Sequence, residues 1–589
     1  MTLRALTLLL AALVWTSCAD DESPEGAGTS DTGGAKDTAD GAGTSDAAPD
    51  AGGDTAGADS GATGDGGGVT DTGGADAGGS DATGNDAGPD DAGTPDAGPS
   101  WPADAPFPAG FLFGTAVAGF QVDMGCPTLP AATCDDPNSD WYEFVMSPDM
   151  VADPSTHLSG DPVSKGPGMW ELYDGDFQRA AEELGSSALR MSFEWSRVFP
   201  TATDGVEGYE ALKAIASADA LATYHAMLAA LKVRGLKPLI TLNHYTLPSW
   251  IHDAVGCHKD LDGCSPRGWL DKERTIAEIA KYAGFVAQEF GAEVDLWATE
   301  NEPLAVVLPG YLMPSAERTN PPAVSLRGKE AREVAVALIE AHARMYDAVK
   351  AADTVDADGD GQASRVGLVY ATAPVRAKDP GNPLDVQAAK DTEYLWNWLF
   401  LDGVCAGVLD DDADGTGEPR EDLANRMDFL GINYYTRVTV EGTGVSALPD
   451  FSPLLTLNPF TLVPWEYYPR GIYEMAMAVT ERYALPIIVT ENGTADPSDD
   501  GTQVEFLAQM LTWLSRAIHD GAKVEGYFYW TLLDNYEWNH GMGIRMGLFA
   551  VDPDDPVKAR VARKGVATFK AIATAGEVPQ ELLDAYPVE

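Results

Sequence analysis

Two glutamates in this chain have the kind of neighbours that a reaction centre needs. Glu302 follows Asn301 in the segment 297–303 (WATENEP), and Glu491 precedes an asparagine and a glycine in the segment 489–493 (VTENG). Breaking a glycosidic bond requires two carboxyl groups: an acid that protonates the departing oxygen, and a carboxylate that attacks the anomeric carbon or activates water. A single glutamate in such a place is more often a salt-bridge partner, so the hypothesis depends on whether the two face each other.

The elements that would position these glutamates alternate between short apolar runs and longer segments of helical period. The runs predicted to be strands are 111–121, 188–195, 237–244, 294–302, 365–372, 428–435, 486–491 and 526–533. Helical patterns between them include 221–233, 275–290 and 329–351. Eight strands alternating with helices predict an α/β fold: a single (β/α)8 TIM barrel with long loops.

Polar side chains end most of these predicted strands, although a packed barrel interior needs apolar residues. The polar ends include Gln121, Glu194, Asn243, His244, Asn301, Glu302, Asn433, Tyr435, Glu491, Asp534 and Asn535. The carboxyl ends of barrel strands meet at one mouth, where the chemistry of such barrels takes place. We therefore expect the two glutamates to face each other across that mouth.

The first hundred residues differ from the rest in composition. Residues 1–18 contain one arginine, then an apolar run and small residues before Cys18, which is typical of a secretory signal of the lipoprotein type. Ordinary cleavage without lipid attachment is the alternative. Residues 19–100 hold nineteen acidic residues, one lysine and no aromatic residue, a composition that predicts a disordered, extended linker. We expect an exported protein, lipid-anchored to the cell envelope at Cys18 or secreted.

Residues 101–589 form the predicted barrel domain and carry 73 acidic and 36 basic side chains. This excess of negative charge disfavours nucleic-acid binding, and we expect membrane contact only through Cys18. An exported chain can oxidise cysteines that are close in sequence. We expect disulfides between Cys126 and Cys134 and between Cys257 and Cys264, with Cys405 as a buried free thiol.

The sequence resembles glycoside hydrolase family 1, the β-glucosidases and β-galactosidases. The segment 297–303 matches the acid/base motif of that family, and 489–493 matches its nucleophile motif. Further matching blocks are 113–116, 190–197, 241–244, 428–436 and 526–552. Segments 136–142, 159–161 and 166–168 are most similar to the archaeal branch, whose members are broad β-glycosidases. Tyr245 departs from the pattern, because a tryptophan is usual at that position.

The resemblance implies a role for each matching residue. Glu491 would be the nucleophile, Glu302 the acid and base, and Arg190 and Tyr435 the partners that keep Glu491 ionised. Asn301 would hold the sugar 2-hydroxyl. The outer hydroxyls would be bound by Gln121, His244, Glu537 and Trp538, with Trp530 beneath the sugar ring. The implied activity is retaining, exo-acting hydrolysis of β-D-glucosides and related galactosides and fucosides.

Two acidic loops lie outside these matches and resemble calcium-binding loops. The first contains Asp356, Asp358 and Asp360, and the second contains Asp410, Asp412, Asp414 and Glu421. Plain acidic loops are the favoured interpretation, because aspartate is abundant in this chain, and structural calcium is the alternative. No catalytic metal or organic cofactor is expected, because side chains supply the acid, the base and the nucleophile.

Two other functions are compatible with parts of this pattern. A transglycosylase would use the same residues with an alcohol in place of water. A glycan-binding barrel without activity would have lost Glu302, Glu491 or Asn301, and the sequence retains all three. Hydrolysis of small-molecule or oligosaccharide β-glycosides is therefore the favoured hypothesis.

Overall fold

The structure is a computed structural model that describes residues 105–456 and 466–588. The predicted signal segment with Cys18 and the acidic segment 19–100 lie outside the described residues. Within the described ranges, no helix is both long enough and apolar enough to cross a bilayer.

Eight parallel strands close into a barrel, as the alternating pattern predicts. The strands are β1 (Leu112–Ala116), β2 (Ala188–Ser192), β3 (Lys237–Asn243), β4 (Leu296–Asn301), β5 (Arg365–Thr372), β6 (Phe429–Tyr434), β7 (Ile487–Asn492) and β8 (Val524–Trp530). Each strand pairs with its neighbours in chain order, and β8 pairs with β1. Most positions of these strands are buried, because side chains fill the barrel inside and helices cover it outside.

One long helix follows each strand. These helices are α1 (Met169–Gln178), α2 (Ala218–Val233), α3 (Lys272–Phe290), α4 (Gly328–Ala352), α5 (Pro383–Glu393), α6 (Gly471–Tyr483), α7 (Thr502–His519) and α8 (Lys564–Ala575). In α3 the buried residues Ile279, Tyr282, Val286 and Phe290 recur every three or four positions, so one stripe of the helix faces the barrel.

Shorter elements occupy the long loops between the barrel strands and helices. Short α-helices span Gly119–Val122, Ala131–Cys134, Asp140–Met146, Pro148–Ala152, Trp195–Val198, Tyr209–Lys213, Ala254–Lys259, Pro303–Val307, Leu399–Leu401 and Gln580–Ala585. Two-stranded sheets pair Val375–Ala377 with Val438–Val440, Val408–Leu409 with Glu418–Pro419, and Phe549–Val551 with Arg560–Ala562. These additions account for the large size of the barrel domain.

The first predicted strand is wrong at its end. It was expected to run from 111 to 121, whereas β1 ends at Ala116 and Gln121 lies in the helical turn Gly119–Val122. Gly119 N donates to Ser192 Oγ of β2 at 2.7 Å, and this contact draws the chain out of the sheet. The predicted end of the second strand at Trp195 is also wrong. β2 stops at Ser192, and Trp195 begins a helix.

Both strands that carry the candidate glutamates are irregular just before them. The pairing of β4 with β5 shifts register between Ala298 and Asn301, and the pairing of β7 with β6 shifts between Val489 and Glu491. A bulge re-aims the side chains that follow it, and bulges are common beside active sites. The two irregularities therefore help to set the direction of Glu302 and Glu491.

Both expected disulfides are present. Cys126 pairs with Cys134, and Cys257 pairs with Cys264. Cys405 is free, and it is partly rather than fully buried because it lies in a surface turn after α5.

Candidate active site

Glu491, in β7, is held by two side chains from other strands. Arg190 of β2 donates from Nη1 to Glu491 Oε1 at 2.6 Å, and the Tyr435 hydroxyl donates to Glu491 Oε2 at 2.8 Å. The other guanidinium nitrogens of Arg190 donate to Thr241 Oγ1 at 3.0 Å and to Asn301 Oδ1 at 2.7 Å. Every nitrogen of this buried cation is therefore bonded, which fixes its direction toward Glu491.

Glu302 follows β4, and its hydrogen-bond partners in the described part of the chain are uncharged donors. The Tyr245 hydroxyl donates to Glu302 Oε2 at 2.5 Å, and Asn433 Nδ2 donates to Glu302 Oε1 at 2.8 Å. Both partners are buried, as is Glu302 itself. The difference in partners matters chemically, because negative charge is better stabilised on the carboxylate that faces an arginine.

Asn301 connects the two carboxyl groups. Its Oδ1 accepts from Arg190, and its Nδ2 donates to the Tyr245 hydroxyl at 3.0 Å. His244 Nε2 lies 3.2 Å from the same amide nitrogen. The predicted residues around both glutamates therefore form one continuous hydrogen-bonded network.

The residues predicted to bind the outer sugar hydroxyls lie beside this network. Gln121 Nε2 donates to Glu537 Oε2 at 3.0 Å. The ring of His244 stacks at 5.9 Å on Trp530 and at 5.9 Å on Trp538. The structure thus brings all ten predicted site residues together at the mouth of the barrel.

Burial dominates the electrostatics of the site. It raises the pKa of Glu491 from 4.5 to about 7, although Arg190 and Tyr435 lower that pKa, and the charge of Glu302 raises it further. Arg190 and Tyr435 thus act against desolvation, which has the larger effect on the pKa of Glu491. Burial together with Arg190 and Arg318 lowers the pKa of His244 well below its usual value, so its imidazole is neutral.

Three side chains of the site stand on left-handed backbone. Tyr245, Glu302 and Trp538 have φ values of 71°, 41° and 46°. Such conformations cost about 1 kcal/mol or more for residues other than glycine, and they persist only where the surroundings enforce them. Each comes at or after a strand end, and the turn it makes directs the side chain into the mouth.

Gly493, in the segment that contains Glu491, is required by a close approach of two chains. A Cβ at this position would collide with the carbonyl oxygen of Trp530. The glycine therefore lets β7 and β8 approach each other just beyond Glu491 and Trp530.

Three residues of the site were not predicted as site residues. Asn433 lies near the end of β6 and Tyr245 follows β3, and their positions at the mouth could have identified them. Arg318 lies in the long loop after β4 and is 2% exposed. Its guanidinium is 5.0 Å from the Tyr245 ring and 5.2 Å from the Trp538 ring, and its Nη1 is 3.8 Å from Glu537 Oε1. No sequence motif marks this residue.

The two predicted calcium loops group their carboxylates differently from expectation. In the first, Asp356 and Asp358 group with Asp295 rather than with Asp360. In the second, three carboxylates come together without Glu421: these are Asp410, Asp412 and Asp414. Asp358 pairs with Lys237, and Asp410 accepts from the Tyr394 hydroxyl. Calcium binding stays a prediction for both loops.

The fold and the site together define a glycosidase that acts on O-glycosyl bonds. Comparison with known proteins agrees with this class: the profile of glycosyl hydrolase family 1 matches residues 103–578. The chain belongs to glycosyl hydrolase family 1, and it is a β-glycosidase.

Archaeal relatives are among the similar proteins, as the sequence predicts. A β-galactosidase of Sulfolobus acidocaldarius is 34% identical over 505 residues, which cover 81% of this chain and 96% of the relative. The crystal structure of the β-glycosidase of Thermosphaera aggregans is 30% identical, with a TM-score of 0.69, and covers 82% of this chain and 100% of that one. A 6-phospho-β-galactosidase of Lacticaseibacillus casei is 27% identical over 80% of this chain and 99% of its own.

Proposed function

We propose that this chain is an exo-acting, retaining β-glycosidase that removes terminal β-D-glucose and related galactose and fucose residues by double displacement. The observation that carries the proposal is the unequal environment of two buried glutamates. Glu491 faces the Arg190 cation, whereas Glu302 faces only neutral donors. The cation stabilises negative charge on Glu491, the group that attacks, and this leaves Glu302 as the proton donor of the mechanism.

In the first step, Glu491 attacks the anomeric carbon while Glu302 gives its proton to the departing oxygen. The carbon–oxygen bond of the substrate breaks, and an ester bond to Glu491 forms. In the second step, Glu302, now a carboxylate, takes a proton from water, and the water oxygen displaces Glu491 from the anomeric carbon. Tyr245 and Asn433 stabilise the charge that Glu302 carries between the steps.

The remaining roles follow from the contacts around this centre. Asn301 would bind the 2-hydroxyl, because it joins Arg190 to the acid side of the site. Gln121, His244, Glu537 and Trp538 would bind the outer hydroxyls, above Trp530. The buried carboxyl of Glu537 favours unphosphorylated sugars, since it would repel a 6-phosphate group.

Covalent labelling tests the nucleophile. A 2-deoxy-2-fluoro-β-D-glucoside with a good leaving group forms an ester with the nucleophile that water hydrolyses slowly. Peptide mass spectrometry should then find the label on Glu491. A label on another residue, or no label and no turnover with gluco-, galacto- or fucosides, would refute the proposal.

The Glu302→Ala variant tests the acid. It should slow hydrolysis most for substrates with poor leaving groups, because only these need protonation, and azide should restore the second step. Equal slowing of all substrates would contradict this role. The Glu300→Gln variant, at a buried position of β4 two residues before Glu302, is a matched control. Any slowing of hydrolysis relative to the wild type should be the same for good and poor leaving groups.

We further propose export with a lipid anchor at Cys18. The sequence of residues 1–18 supports it, and so do the two disulfides, which suit an oxidising compartment. A Cys18→Ser variant should lose hydrophobic lipid mass and move from the membrane to the soluble fraction. Identical fractionation of both proteins would contradict the anchor.

A further inference from the structure

Arg318 is a buried cation at the site whose hydrogen-bonding capacity is largely unused. Its Nε and Nη2 have no hydrogen-bond partner among the residues that the structure describes. These two nitrogens form one edge of the guanidinium, and their N–H bonds point in parallel toward two neighbouring acceptor atoms. Leaving buried donors without acceptors is unfavourable, so this edge requires a partner.

Unpartnered acceptors lie in the same part of the site. Among the described residues, the buried acceptors Glu537 Oε1 and Gln121 Oε1 have no hydrogen-bond partner. Arg318 Nη1 lies 3.8 Å from Glu537 Oε1, beyond hydrogen-bond distance. Donors and acceptors that are both unsatisfied match sugar hydroxyls, since each hydroxyl both donates and accepts.

The turn 315–319 holds Arg318 in this place, and we name it the Arg318 turn. Ser315 N donates to the Arg318 carbonyl at 2.9 Å, and Arg318 N donates to Ser315 Oγ at 3.2 Å. The loop after β8 binds the turn from the other side. Asn539 Nδ2 donates to the Ala316 carbonyl at 3.1 Å, and Asn539 Oδ1 accepts from Thr319 N at 3.2 Å. The guanidinium is thus positioned by the same loop that carries Glu537 and Trp538.

We propose that Arg318 binds two neighbouring oxygens of a neutral sugar, at the end of the ring remote from the anomeric carbon. The inference rests on the proposed function and adds a specificity-determining residue to it. Glu537 explains the restriction to neutral sugars, because a sugar carboxylate at this end would lie beside the Glu537 carboxyl. Arg318 would supply the donors and Glu537 and Gln121 the acceptors for the same hydroxyls.

Deoxy substrates test this assignment. The wild type and the Arg318→Met variant are assayed with aryl β-D-glucosides and with their 3-deoxy, 4-deoxy and 6-deoxy analogues. We expect the variant to lose about 10- to 100-fold in kcat/KM on the complete glucoside. On the analogue that lacks a contacted hydroxyl, the loss should shrink to about 3-fold or less, because that contact is already absent.

Controls separate this inference from the proposed function and from misfolding. Glu317→Gln, in the same turn, should change kcat/KM by less than about 2-fold, because the hydrogen bond of this residue to the neighbouring loop is made by its backbone carbonyl, which the substitution keeps. If Arg318→Met does not fold, Arg318→Lys carries the same test, since an ammonium group cannot span two oxygens in parallel. Equal losses on all analogues, unchanged activity, or a loss confined to a β-D-glucuronide would overturn the inference. A wild type without fluoroglucoside labelling or turnover would instead refute the proposed function.

Discussion

Two buried arginine–carboxylate pairs lie in one site, and they are built differently. Arg190 and Glu491 lie on barrel strands, 2.6 Å apart, and every nitrogen of Arg190 is bonded. Arg318 and Glu537 lie in loops, 3.8 Å apart, and within residues 105–456 and 466–588 two guanidinium nitrogens and one carboxylate oxygen have no hydrogen-bond partner. The first pair is complete without a ligand, and the second is not.

The difference follows from what each pair has to do. A group that reacts with the anomeric carbon must be held in one direction before substrate arrives, and the strands of the closed barrel provide that rigidity. A group that recognises the outer part of a sugar must keep donors and acceptors available. Loops can supply them there, because their spacing is set by loop-to-loop contacts and not by a sheet.

Removing Arg190 should have the largest effect on this comparison. We expect Arg190→Met to lower kcat/KM about 10³-fold or more, because Glu491 loses its buried cation and its fixed direction. Steady-state kinetics with two glucosides, an aryl glucoside and a glucoside with a poor leaving group, measure this loss in kcat/KM. A loss similar to that of Arg318→Met would show that the two pairs are not different in kind.

The pH dependence of kcat/KM tests the same comparison, because the direction in which its acid limb should move is predicted. Glu491 must be ionised to attack, so wild-type kcat/KM should fall as the pH decreases below about 7, the pKa to which burial raises this group. Arg190 lowers that pKa, and therefore Arg190→Met should move the acid limb to higher pH. An acid limb that stays in place, or moves to lower pH, would contradict the electrostatic role of Arg190.

Removing the Tyr435 hydroxyl should have a smaller effect in the same direction. Tyr435→Phe deletes one donor to Glu491, so we expect kcat/KM to fall about 10- to 100-fold and the acid limb to rise by less than in Arg190→Met. Tyr473→Phe is the matched control, because its hydroxyl bonds Asp520 on the surface. If both variants behave alike, the contact with Glu491 contributes nothing specific.

Loosening the Arg318 turn should give the smallest change. Asn539→Ala removes the side-chain contacts between the two loops, and we expect kcat/KM to fall about 3- to 10-fold without any movement of the acid limb. The penalty for a deoxy substrate should decrease as in Arg318→Met. A shifted acid limb would mean that the loop pair and the strand pair are not independent.

Much of this architecture could be predicted from sequence because its signals are local. All eight strands were predicted in the right order, since each is a short apolar run between helical patterns, but the first, second and last end before the predicted residues 121, 195 and 533. Glu302, Glu491 and their strand-borne partners were predicted through motifs at strand ends. Gln121 was correctly predicted to lie at the mouth, but it was predicted on a strand and lies in a helical turn. The hydrogen bond from Gly119 N to Ser192 Oγ takes the chain out of the sheet before it reaches Gln121.

Arg318 marks the limit of such reasoning. Arg318 belongs to the site only because the loop after β8 binds the loop after β4, and no pattern of residue types reveals a contact between loops more than 200 residues apart. Similarly, sequence supplied both charges of the Arg190 pair, but their balance against desolvation depends on burial.

The sequence by itself determined the barrel and the identity of the two opposed glutamates, since strand periodicity and strand-end motifs depend only on residues that are close together in the chain. Only the tertiary structure decided that Glu302 meets neutral donors, how far burial offsets the Arg190 cation, and where a guanidinium edge remains unbonded among the described residues. Those outcomes depend on the distances between residues that are remote in the chain and on how completely the fold excludes water from them. Distance and burial together set the energy of an interaction between charges.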